Sequence, residues 1–285
     1  MNQILSESSL KVSDHSRDSA GLRYVYPVIS RRAGGVSIGI NLNPNNACNW
    51  RCIYCQVPDL KLGTAPPINL VLLEQELKNF LYELQHGNFM QRIPQESRHI
   101  KDIAISGNGE PTSAKEFVEV IEIIARIKPA NLKLVLITNG SLIQRKQVQQ
   151  GLRRIAQLNG EVWFKLDRAS EIGIQQINNT HSSMDKVKLN LMTAIACCPN
   201  TWLQTCWFAL DGKAPSRQDE DDYLDFLNLL LHENAFPKGI LLYGLARPSM
   251  QSEAPLLSAL SSNQLNDFAS RISALCGEVQ VGVLE

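Results

Sequence analysis

The sequence lacks an excess of charge of either sign, because 28 Lys and Arg residues balance 28 Asp and Glu residues. A balanced chain has no overall field to attract nucleic acid or an anionic membrane, so a nucleic-acid partner would need a local basic patch. Long apolar runs are also missing: residues 239–246 form one of the longest, far shorter than a membrane span. Residues 1–20 lack the apolar core of a signal peptide. These absences predict a cytoplasmic protein with no membrane association.

Cysteines are few and odd in number. There are seven, at positions 48, 52, 55, 197, 198, 206 and 276. A disulfide framework is typical of short secreted chains, and this chain is neither short nor visibly secreted. Three of the seven fall within a stretch of eight residues, and that crowding requires a chemical explanation.

The chain has the composition of an ordinary soluble globular protein, with 285 residues, 44% of them hydrophobic and 20% charged. Residues 1–22 are rich in Ser, Asp and Asn and are predicted to be mobile. No shift in composition and no long linker divides residues 23–285. We therefore predict a single core domain over that range.

Short β-rich runs alternate with amphipathic helical patterns from residue 36 onward. Strands are predicted at residues 36–41, 102–106, 133–138, 161–166, 202–210, 239–245 and 278–284. Apolar residues at helical spacing predict helices between them; Leu73, Leu77 and Leu81 share one such face. Regular β-then-α repetition predicts an α/β fold in which helices cover a parallel sheet. Because six units are fewer than the eight of a closed barrel, the expected architecture is a partial (βα)6 barrel.

The crowded cysteines, Cys48, Cys52 and Cys55, form the pattern C-x3-C-x2-C in the loop after the first predicted strand. Thiolates suit iron–sulfur chemistry, and three of them can hold three corners of a cubane cluster while one iron stays open. A structural zinc site would want four protein ligands, but there is no second C-x2-C and the nearest histidine in sequence is His86. Three structural cysteines are a further alternative, although packing explains such tight spacing poorly. The pattern favours the open iron–sulfur cluster.

This pattern, with the aromatic Tyr54 directly before the third cysteine, resembles the signature of the radical SAM superfamily. The resemblance implies a partial (βα)6 barrel, in agreement with the alternation of elements. It also implies a [4Fe-4S] cluster whose open iron is chelated by S-adenosyl-L-methionine. Reductive cleavage of that cofactor would give a 5′-deoxyadenosyl radical that takes hydrogen from a substrate, and Tyr54 would pack near the adenine.

A glycine-rich turn, Ser-Gly-Asn-Gly-Glu-Pro-Thr, ends the second predicted strand at residues 106–112. Glycines let the backbone approach a ligand closely, and a glutamate at this edge of a sheet offers an acceptor. The turn resembles the superfamily's Gly-Gly-Glu motif, from which Asn108 departs. The resemblance implies that Gly107, Asn108, Gly109 and Glu110 meet the methionine end of the cofactor. Without that context the turn would more often be an ordinary tight turn.

Polar residues also end the third and fourth predicted strands. Thr138 and Asn139 precede a glycine in a turn that needs no function, but the resemblance implies that this position faces the cofactor. Lys165 and Asp167 lie two residues apart, so strand alternation places them on one face. They are candidates for contact with the cofactor or the substrate, and the alternative is a local ion pair.

Several other features carry weaker signals. Gln204, Tyr243 and Arg247 lie on or just past later strands, where the arginine could clamp a carboxylate or a phosphate. The acidic residues 219–222 could be read as a metal site, but they are more simply complements to a helix dipole. The four remaining cysteines, at positions 197, 198, 206 and 276, are interpreted as buried small hydrophobic residues.

Within the superfamily, the likeness is to the group that contains wyosine-synthesis-related iron–sulfur oxidoreductases. The matching features are Ser-Arg-Arg at 30–32, Gly-Ile-Asn-Leu-Asn-Pro at 39–44, Gly-Glu-Pro-Thr at 109–112, Ile-Thr-Asn-Gly at 137–140 and Lys-Leu-Asp at 165–167. This resemblance allows a nucleoside or a tRNA base as the substrate, although the balanced net charge does not support tRNA.

The sequence as a whole leads to the hypothesis of a radical SAM enzyme with an unidentified substrate, reduced by a separate flavodoxin or ferredoxin. A non-catalytic iron–sulfur electron carrier or redox sensor would explain the cysteines but would give the glycine-rich turn no purpose. A zinc-stabilised structural protein is the third alternative.

Overall fold

One eight-stranded sheet organises the fold, and the computed structural model describes residues 21–30, 34–276 and 280–284. The strands are β1 (Val25–Ser30), β2 (Gly35–Ile40), β3 (Ile100–Ile105), β4 (Lys133–Thr138), β5 (Glu161–Lys165), β6 (Thr201–Cys206), β7 (Gly239–Tyr243) and β8 (Gln280–Leu284). They follow one another across the sheet in chain order. Strands β2 to β8 are parallel, and β1 pairs antiparallel with β2 at one edge.

Helices form the crossover connections between the parallel strands. They are α1 (Leu70–His86), α2 (Phe117–Ile127), α3 (Lys146–Gln157), α4 (Glu171–Asn178), α5 (Met184–Cys197), α6 (Arg217–His232) and α7 (Ser262–Cys276). Within the described residues, no strand pairing joins β1 to β8, so the sheet stays open. Six βα units followed by a last strand confirm the predicted α/β fold of partial-barrel type. Over the same residues, no helix is long and apolar enough to cross a membrane.

The main core lies between the sheet and the helices. Leu73 and Leu77 of α1 are fully buried there, as the helical spacing predicted. Glu76 shares the buried side of α1, and its carboxylate accepts hydrogen bonds from the backbone N–H groups of Arg23 and Tyr24 at 2.9 and 2.8 Å. A buried carboxylate that accepts several N–H hydrogen bonds is tolerated, because these bonds offset the free-energy cost of removing its charge from water. Glu76 thereby ties the start of β1 to α1.

A second, smaller apolar cluster lies at the carboxyl ends of the strands. Its buried members are Ile53, Tyr54, Ile177, Cys206, Phe208 and Tyr243. These residues come from the cysteine loop, from the last turn of α4 and from the ends of β6 and β7. The cysteine loop therefore rests on an apolar layer that three other parts of the chain build.

Among the strands of the main sheet and the α-helices, two elements escaped the sequence analysis. Strand β1 was not predicted, although residues 24–29 contain Tyr, Val and Ile; Pro27 lies within it, which an edge strand tolerates because the missing N–H need not join a ladder. Helix α4 was not predicted either, because its eight residues are too few to display a periodic stripe. Ser170 caps its start, where the side chain accepts a bond from the N–H of Gly173.

The predicted strand at residues 202–210 was too long. Strand β6 ends at Cys206, and the buried ring of Trp207 stacks on Phe268 of α7, with ring centroids 4.4 Å apart. Residues 209–210 instead pair with residues 257–258 in a separate two-stranded ladder. No sequence pattern indicates this strand end, because the residues before and after it are apolar and buried alike.

Part of the sequence-based prediction falls on residues that the structure does not describe. Residues 1–20 of the segment predicted to be mobile lie outside the described residues, as do residues 31–32 of the Ser-Arg-Arg match and residues 278–279 of the last predicted strand. The boundary between a mobile segment and a core domain at residue 23 stays a prediction.

Candidate active site

The cysteine loop follows β2 and lies at the carboxyl edge of the sheet. Cys48, Cys52 and Cys55 are all free thiols, each partly exposed. The loop is tightly wound, because the backbone N–H of Cys55 donates to the carbonyl of Cys52 at 3.0 Å. Two N–H groups also point at sulfur: the backbone of Trp50 donates to Cys48 at 3.5 Å, and the side chain of Asn178 donates to Cys52 at 3.3 Å. All three sulfur-bearing residues line one cavity.

The thiols lie in surroundings that disfavour a free thiolate. Burial raises the pKa of Cys48 to about 11 and the pKa of Cys52 to about 12, although the positive charge of Lys165 opposes the shift at Cys52. A coordinating metal deprotonates a thiol outright. Loading a metal centre here would therefore release protons.

The spacing of the potential ligands distinguishes between kinds of metal centre. Across the described residues, no three His, Cys, Asp or Glu side chains are close enough to share a single metal ion. A zinc site gathers its ligands around one ion, whereas a cubane cluster gives each cysteine its own iron and so spreads the sulfur atoms farther apart. The three free thiols on one cavity are compatible with an iron–sulfur cluster, in which each cysteine binds its own iron.

The cavity has a volume of about 610 Å³ and opens inside the partial barrel. All but one of the residues predicted for the site line it: Cys48, Cys52, Tyr54, Cys55, Gly107, Asn108, Gly109, Glu110, Thr138, Asn139 and Lys165. They come from the cysteine loop and from the ends of β3, β4 and β5. Parallel strands that carry their loops at the same edge bring these distant segments together.

The glycine-rich turn after β3 packs directly on the start of the cysteine loop. A Cβ atom on Gly109 would lie 2.0 Å from the carbonyl oxygen of Ala47, and one on Gly107 would lie 2.3 Å from Oδ1 of Asn41. Asn108 faces the same way, because its side-chain amide donates to Oδ1 of Asn46 at 2.6 Å. The glycines are thus required by contact within the protein itself, and Asn108 fastens the turn to the loop.

Glu110 is the centre of a buried hydrogen-bond network. Its Oε1 accepts bonds from the backbone N–H of Thr112 at 3.1 Å and from the hydroxyl of Thr138 at 2.7 Å, and its Oε2 accepts the backbone N–H of Asn139 at 2.7 Å. Burial raises the pKa of Glu110 against the effect of these donors. Oε2 accepts one bond from the protein, so it keeps the capacity to accept another. Glu110 thereby joins the ends of β3 and β4.

Asn139 carries this network on to the cysteine loop. Its side-chain amide donates to Oδ1 of Asn49 at 2.9 Å. Its own Oδ1 accepts the hydroxyl of Ser141 at 2.7 Å, and that hydroxyl accepts from the amide of Asn49, also at 2.7 Å. The turn after β4 is therefore fixed against the residue that follows Cys48.

Lys165 reaches the cavity from the end of β5. Its Nζ donates to the hydroxyl of Tyr243 at 3.2 Å and lies 4.9 Å from the centre of the Tyr54 ring, within range of a cation–π contact. Burial alone would lower the pKa of Lys165, but the carboxylate of Asp167 and the other ionisable groups around it together outweigh burial, and the pKa is raised. Lys165 is therefore a positively charged side chain whose position is fixed by its contacts with Tyr243 and Tyr54.

Asp167 lies behind the cavity wall and does not line the cavity with Lys165. Its Oδ2 accepts the hydroxyl of Tyr54 at 2.5 Å and the side-chain amide of Asn178 at 2.8 Å, and its Oδ1 accepts the backbone N–H of Cys206 at 2.9 Å. The chain bends after β5, so the strand alternation used for the prediction no longer applies at residue 167. Asp167 supports the loop from beneath.

Further residues line the cavity that the sequence analysis mentioned only in passing or missed. Gln204, Tyr243 and Arg247 all line it, and Gln204 is 1% exposed with no partner for its Nε2 among the described residues. Tyr26, Ser106, Trp163 and Cys206 line it as well. The sequence held a signal for Trp163 and Cys206, because each lies two positions from Lys165 or Gln204 on the same strand and therefore faces the same side of the sheet. The others lie outside that pattern.

A segment after β7 holds the cysteine loop from the far side. The hydroxyl of Ser249 donates to the carbonyl of Ile53 at 2.7 Å, and the backbone N–H of Met250 donates to the carbonyl of Cys55 at 2.9 Å. The guanidinium of Arg51 forms two hydrogen bonds with the carboxylate of Glu253, at 2.9 and 2.5 Å. We call residues 249–253 the strap. No local sequence pattern relates it to the cysteines.

The remaining cysteines and the acidic run have structural surroundings. Cys197, Cys198, Cys206 and Cys276 are all buried, in agreement with their interpretation as small hydrophobic residues, although Cys206 also lines the cavity. In the acidic run, Asp219 forms a capping box with Ser216 at the start of α6, while Glu220 and Asp221 both pair with Arg271. The capping box supports the interpretation as a helix N-terminus.

Comparisons with known proteins identify the family of this chain. A family model described as the radical SAM superfamily matches residues 42–203. A UPF0026 protein of Helicobacter pylori is 31% identical over 159 residues, which are 55% of this chain and 46% of that protein. The GTP 3′,8-cyclase of Haemophilus ducreyi is 26% identical over 160 residues, 54% of this chain and 35% of that protein. This chain thus spans about half the length, or less, of these curated relatives.

Solved structures share the fold at low sequence identity. Streptococcus suis SuiB bound to S-adenosylmethionine superposes with a TM-score of 0.58 at 11% identity, over 88% of this chain and 51% of that chain. TYW1 with a lysine–pyruvate adduct superposes with a TM-score of 0.54 at 17% identity, over 84% of this chain and 73% of that chain. The family match covers more than half of the chain, including all three loop cysteines and the glycine-rich turn. The chain belongs to the radical SAM superfamily.

Proposed function

We propose that this protein is a radical SAM enzyme whose cavity holds a [4Fe-4S] cluster and S-adenosyl-L-methionine beside a small substrate. Membership of the superfamily implies an iron–sulfur cluster and S-adenosylmethionine. The observation that carries the proposal is the gathering of three free thiols, a glycine-rich turn and a buried cation around one cavity of about 610 Å³. When bound, the two groups supply one-electron chemistry that removes a hydrogen atom from a substrate.

Different residues would bind the cluster and the methionine end of the cofactor. Cys48, Cys52 and Cys55 would hold the cluster and leave one iron open for the cofactor. The turn at residues 107–110 would hold the methionine end of S-adenosylmethionine, with Oε2 of Glu110 as an acceptor for its amino group. Thr138 and Asn139 would act by fixing that carboxylate in place, since both donate to it.

The opposite side of the site would bind the adenine and a carboxylate. The hydroxyl of Tyr54 is committed to Asp167, so its ring is held in one orientation against which an adenine could pack. Lys165 presents a fixed positive charge at the cavity wall, suited to the carboxylate of the cofactor or to an anionic group of the substrate.

We further propose a nucleoside or nucleotide as the substrate, with a tRNA base as one form of it. Trp163 offers an aromatic side chain in the cavity for a base, while Arg247 and Gln204 offer donors for phosphate or carbonyl oxygen. A relative whose name states that it cyclises GTP shares 26% identity with this chain. The test is the yield of 5′-deoxyadenosine with GTP, other nucleosides and tRNA: stimulation by one class supports the proposal, and no stimulation by any argues against it.

The radical chemistry is tested by anaerobic reconstitution with iron and sulfide, reduction in the presence of S-adenosylmethionine, and chromatography for 5′-deoxyadenosine. Wild-type protein should form this product and Cys52→Ala should not. The matched control is Cys197→Ala, a buried cysteine outside the cavity, which should retain the product. A reducible cluster with no product, with or without candidate substrates, would contradict the proposal.

The rival function is a non-catalytic iron–sulfur electron carrier or redox sensor. It predicts that S-adenosylmethionine leaves the spectrum of the cluster unchanged, because a carrier needs no open iron. The enzyme predicts a change in the electron paramagnetic resonance (EPR) spectrum on addition of the cofactor. The cofactor-sized cavity beside the cysteines favours the enzyme.

We also propose a flavodoxin or ferredoxin as the electron donor. Radical SAM chemistry needs a reductant for the cluster, and flavodoxins and ferredoxins carry single electrons. Replacing dithionite with a reduced flavodoxin or ferredoxin should sustain 5′-deoxyadenosine formation. Product formation with dithionite but none with either reduced protein would count against this choice of partner.

A further inference from the structure

The end of α4 lies directly against the cysteine loop. The backbone N–H of Ile53 donates to the carbonyl of Ile177 at 2.9 Å, and the N–H of Arg51 donates to the carbonyl of Asn178 at 3.3 Å. Asn179 has left-handed backbone angles (φ 49°, ψ 47°), which end the helix at this point. Its side-chain amide donates to the carbonyl of Arg51 at 2.8 Å. The last turn of α4 is therefore held in register with the loop.

The side chain of Asn178 makes two bonds from one amide nitrogen. Its Nδ2 donates to the sulfur of Cys52 at 3.3 Å and to Oδ2 of Asp167 at 2.8 Å, and the residue is 1% exposed. The two ends of an asparagine amide look alike in outline, but only the NH2 end can donate to a carboxylate. Asp167 therefore decides the orientation of the amide and keeps an N–H directed at the sulfur.

Asp167 is itself fixed from several directions. Its Oδ1 accepts the backbone N–H of Cys206 in β6, and its Oδ2 accepts the hydroxyl of Tyr54 as well as the Asn178 amide. With donors from β6, α4 and the cysteine loop, this carboxylate has little freedom to rotate. The direction of the N–H toward Cys52 is consequently built into the fold.

We propose that Asn178 is a positioning residue that tunes the cluster by donating an N–H···S hydrogen bond to the Cys52 thiolate. Reduction adds one electron to the cluster, and part of the added negative charge falls on the ligand sulfurs. A donor aimed at one of these sulfurs stabilises the reduced state more than the oxidised state, and hydrogen bonds of this kind help to set the reduction potentials of iron–sulfur clusters. The inference rests on the cluster of the proposed function.

The test is an anaerobic redox titration of the reconstituted full chain, followed by EPR, with dithionite as the electron source. Asn178→Leu keeps the approximate size of the side chain and removes the donor, and Asn178→Ala removes it without new bulk. We expect the equilibrium constant for one-electron reduction of the cluster to fall about tenfold in both variants. This fall corresponds to a reduction potential about 59 mV more negative. The matched control is Asn179→Gly, which removes the neighbouring side-chain donor to the carbonyl of Arg51 but none to sulfur, and glycine keeps the left-handed backbone of this position.

The outcomes separate the inference from a general loosening of the site. A lowered potential in both Asn178 variants, with Asn179→Gly close to wild type, supports it; an unchanged potential, or an equal shift in all three, overturns it. If neither variant holds a cluster, pulsed EPR on reduced wild-type protein labelled with 15N-asparagine decides. A 15N coupling to the cluster is expected, and its absence overturns the inference. Wild-type protein that takes up no iron and sulfide would refute the proposed function as well.

Discussion

Replacing Glu110 by glutamine removes one acceptor oxygen from the network that joins the ends of β3 and β4. Two backbone N–H groups depend on this side chain, and they use different oxygens: Thr112 donates to Oε1 and Asn139 donates to Oε2. Glutamine has one oxygen, so one of these N–H groups has to face an NH2 group. Threonine hydroxyls can rotate to accept a bond, but a backbone N–H cannot.

The size of the effect follows from burial, since Glu110 is 2% exposed. A buried donor left without a partner costs about 1–3 kcal/mol. Glutamine also avoids the cost of burying a carboxylate, which offsets part of the loss. We expect Glu110→Gln to lower the free energy of unfolding by about 2 kcal/mol, or the Tm by about 4 °C for a chain of this size.

Thermal and urea unfolding of the apoprotein measure this effect without any contribution from a bound group. Glu119→Gln on the exposed side of α2 is the matched control, and its stability should stay within about 0.5 kcal/mol of wild type. On the reconstituted protein, Glu110→Gln should also weaken S-adenosylmethionine binding about tenfold, which is about 1.4 kcal/mol. An apoprotein as stable as wild type would refute the role of Glu110 in the network, and unchanged cofactor affinity would remove it from the proposed binding site.

Two further predictions concern the packing and the charge of the cysteine loop. Gly109→Ala places a Cβ 2.0 Å from the carbonyl oxygen of Ala47, so we expect a loss of about 3 kcal/mol in unfolding free energy and impaired cluster assembly. Gly63→Ala meets the same residue at an ordinary 3.4 Å and should melt like wild type; equal melting of the two variants would contradict the reasoning. The hydrogen bonds from Arg51 lower the pKa of Glu253 to about 2, so this pair stabilises the fold fully above the unfolded-state pKa of about 4.3 and less as the pH falls toward 2. The difference in unfolding free energy between wild type and Glu253→Gln should be about 0.5–1 kcal/mol at pH 7 and should shrink by pH 3; a difference independent of pH would contradict the assignment.

Much of the fold could be predicted from the sequence because its signals are local. Strand β4 has its predicted bounds, and α1, α2 and α3 follow their apolar stripes, since periodicity reports which side of an element is buried. Strand β1 and helix α4 were missed for a physical reason in each case. An edge strand that contains a proline gives a weak β signal, and a helix of two turns cannot show a stripe.

The site was predictable where one segment carries a whole motif, and less so where distant segments cooperate. The cysteine loop and the glycine-rich turn each have their own pattern, and both line the cavity. The contacts of Asn178 with Cys52 and of Ser249 with Ile53 join residues more than a hundred positions apart. Such contacts depend on how loops meet after the barrel forms, and no local sequence pattern predicts them. The position of Asp167 behind the wall likewise depends on a bend after β5.

The strap has a consequence for the order of events during synthesis. A ribosome delivers Cys48, Cys52 and Cys55 well before the strap. The hydrogen bonds that hold the carbonyls of Ile53 and Cys55 come from residues 249–253, which emerge nearly two hundred residues later. At roughly 5–20 residues per second, the thiols spend about 10–40 s outside their final geometry. If the three cysteines hold the proposed cluster, its insertion would have to follow the docking of the strap, because only then are the carbonyls of Ile53 and Cys55 held in place.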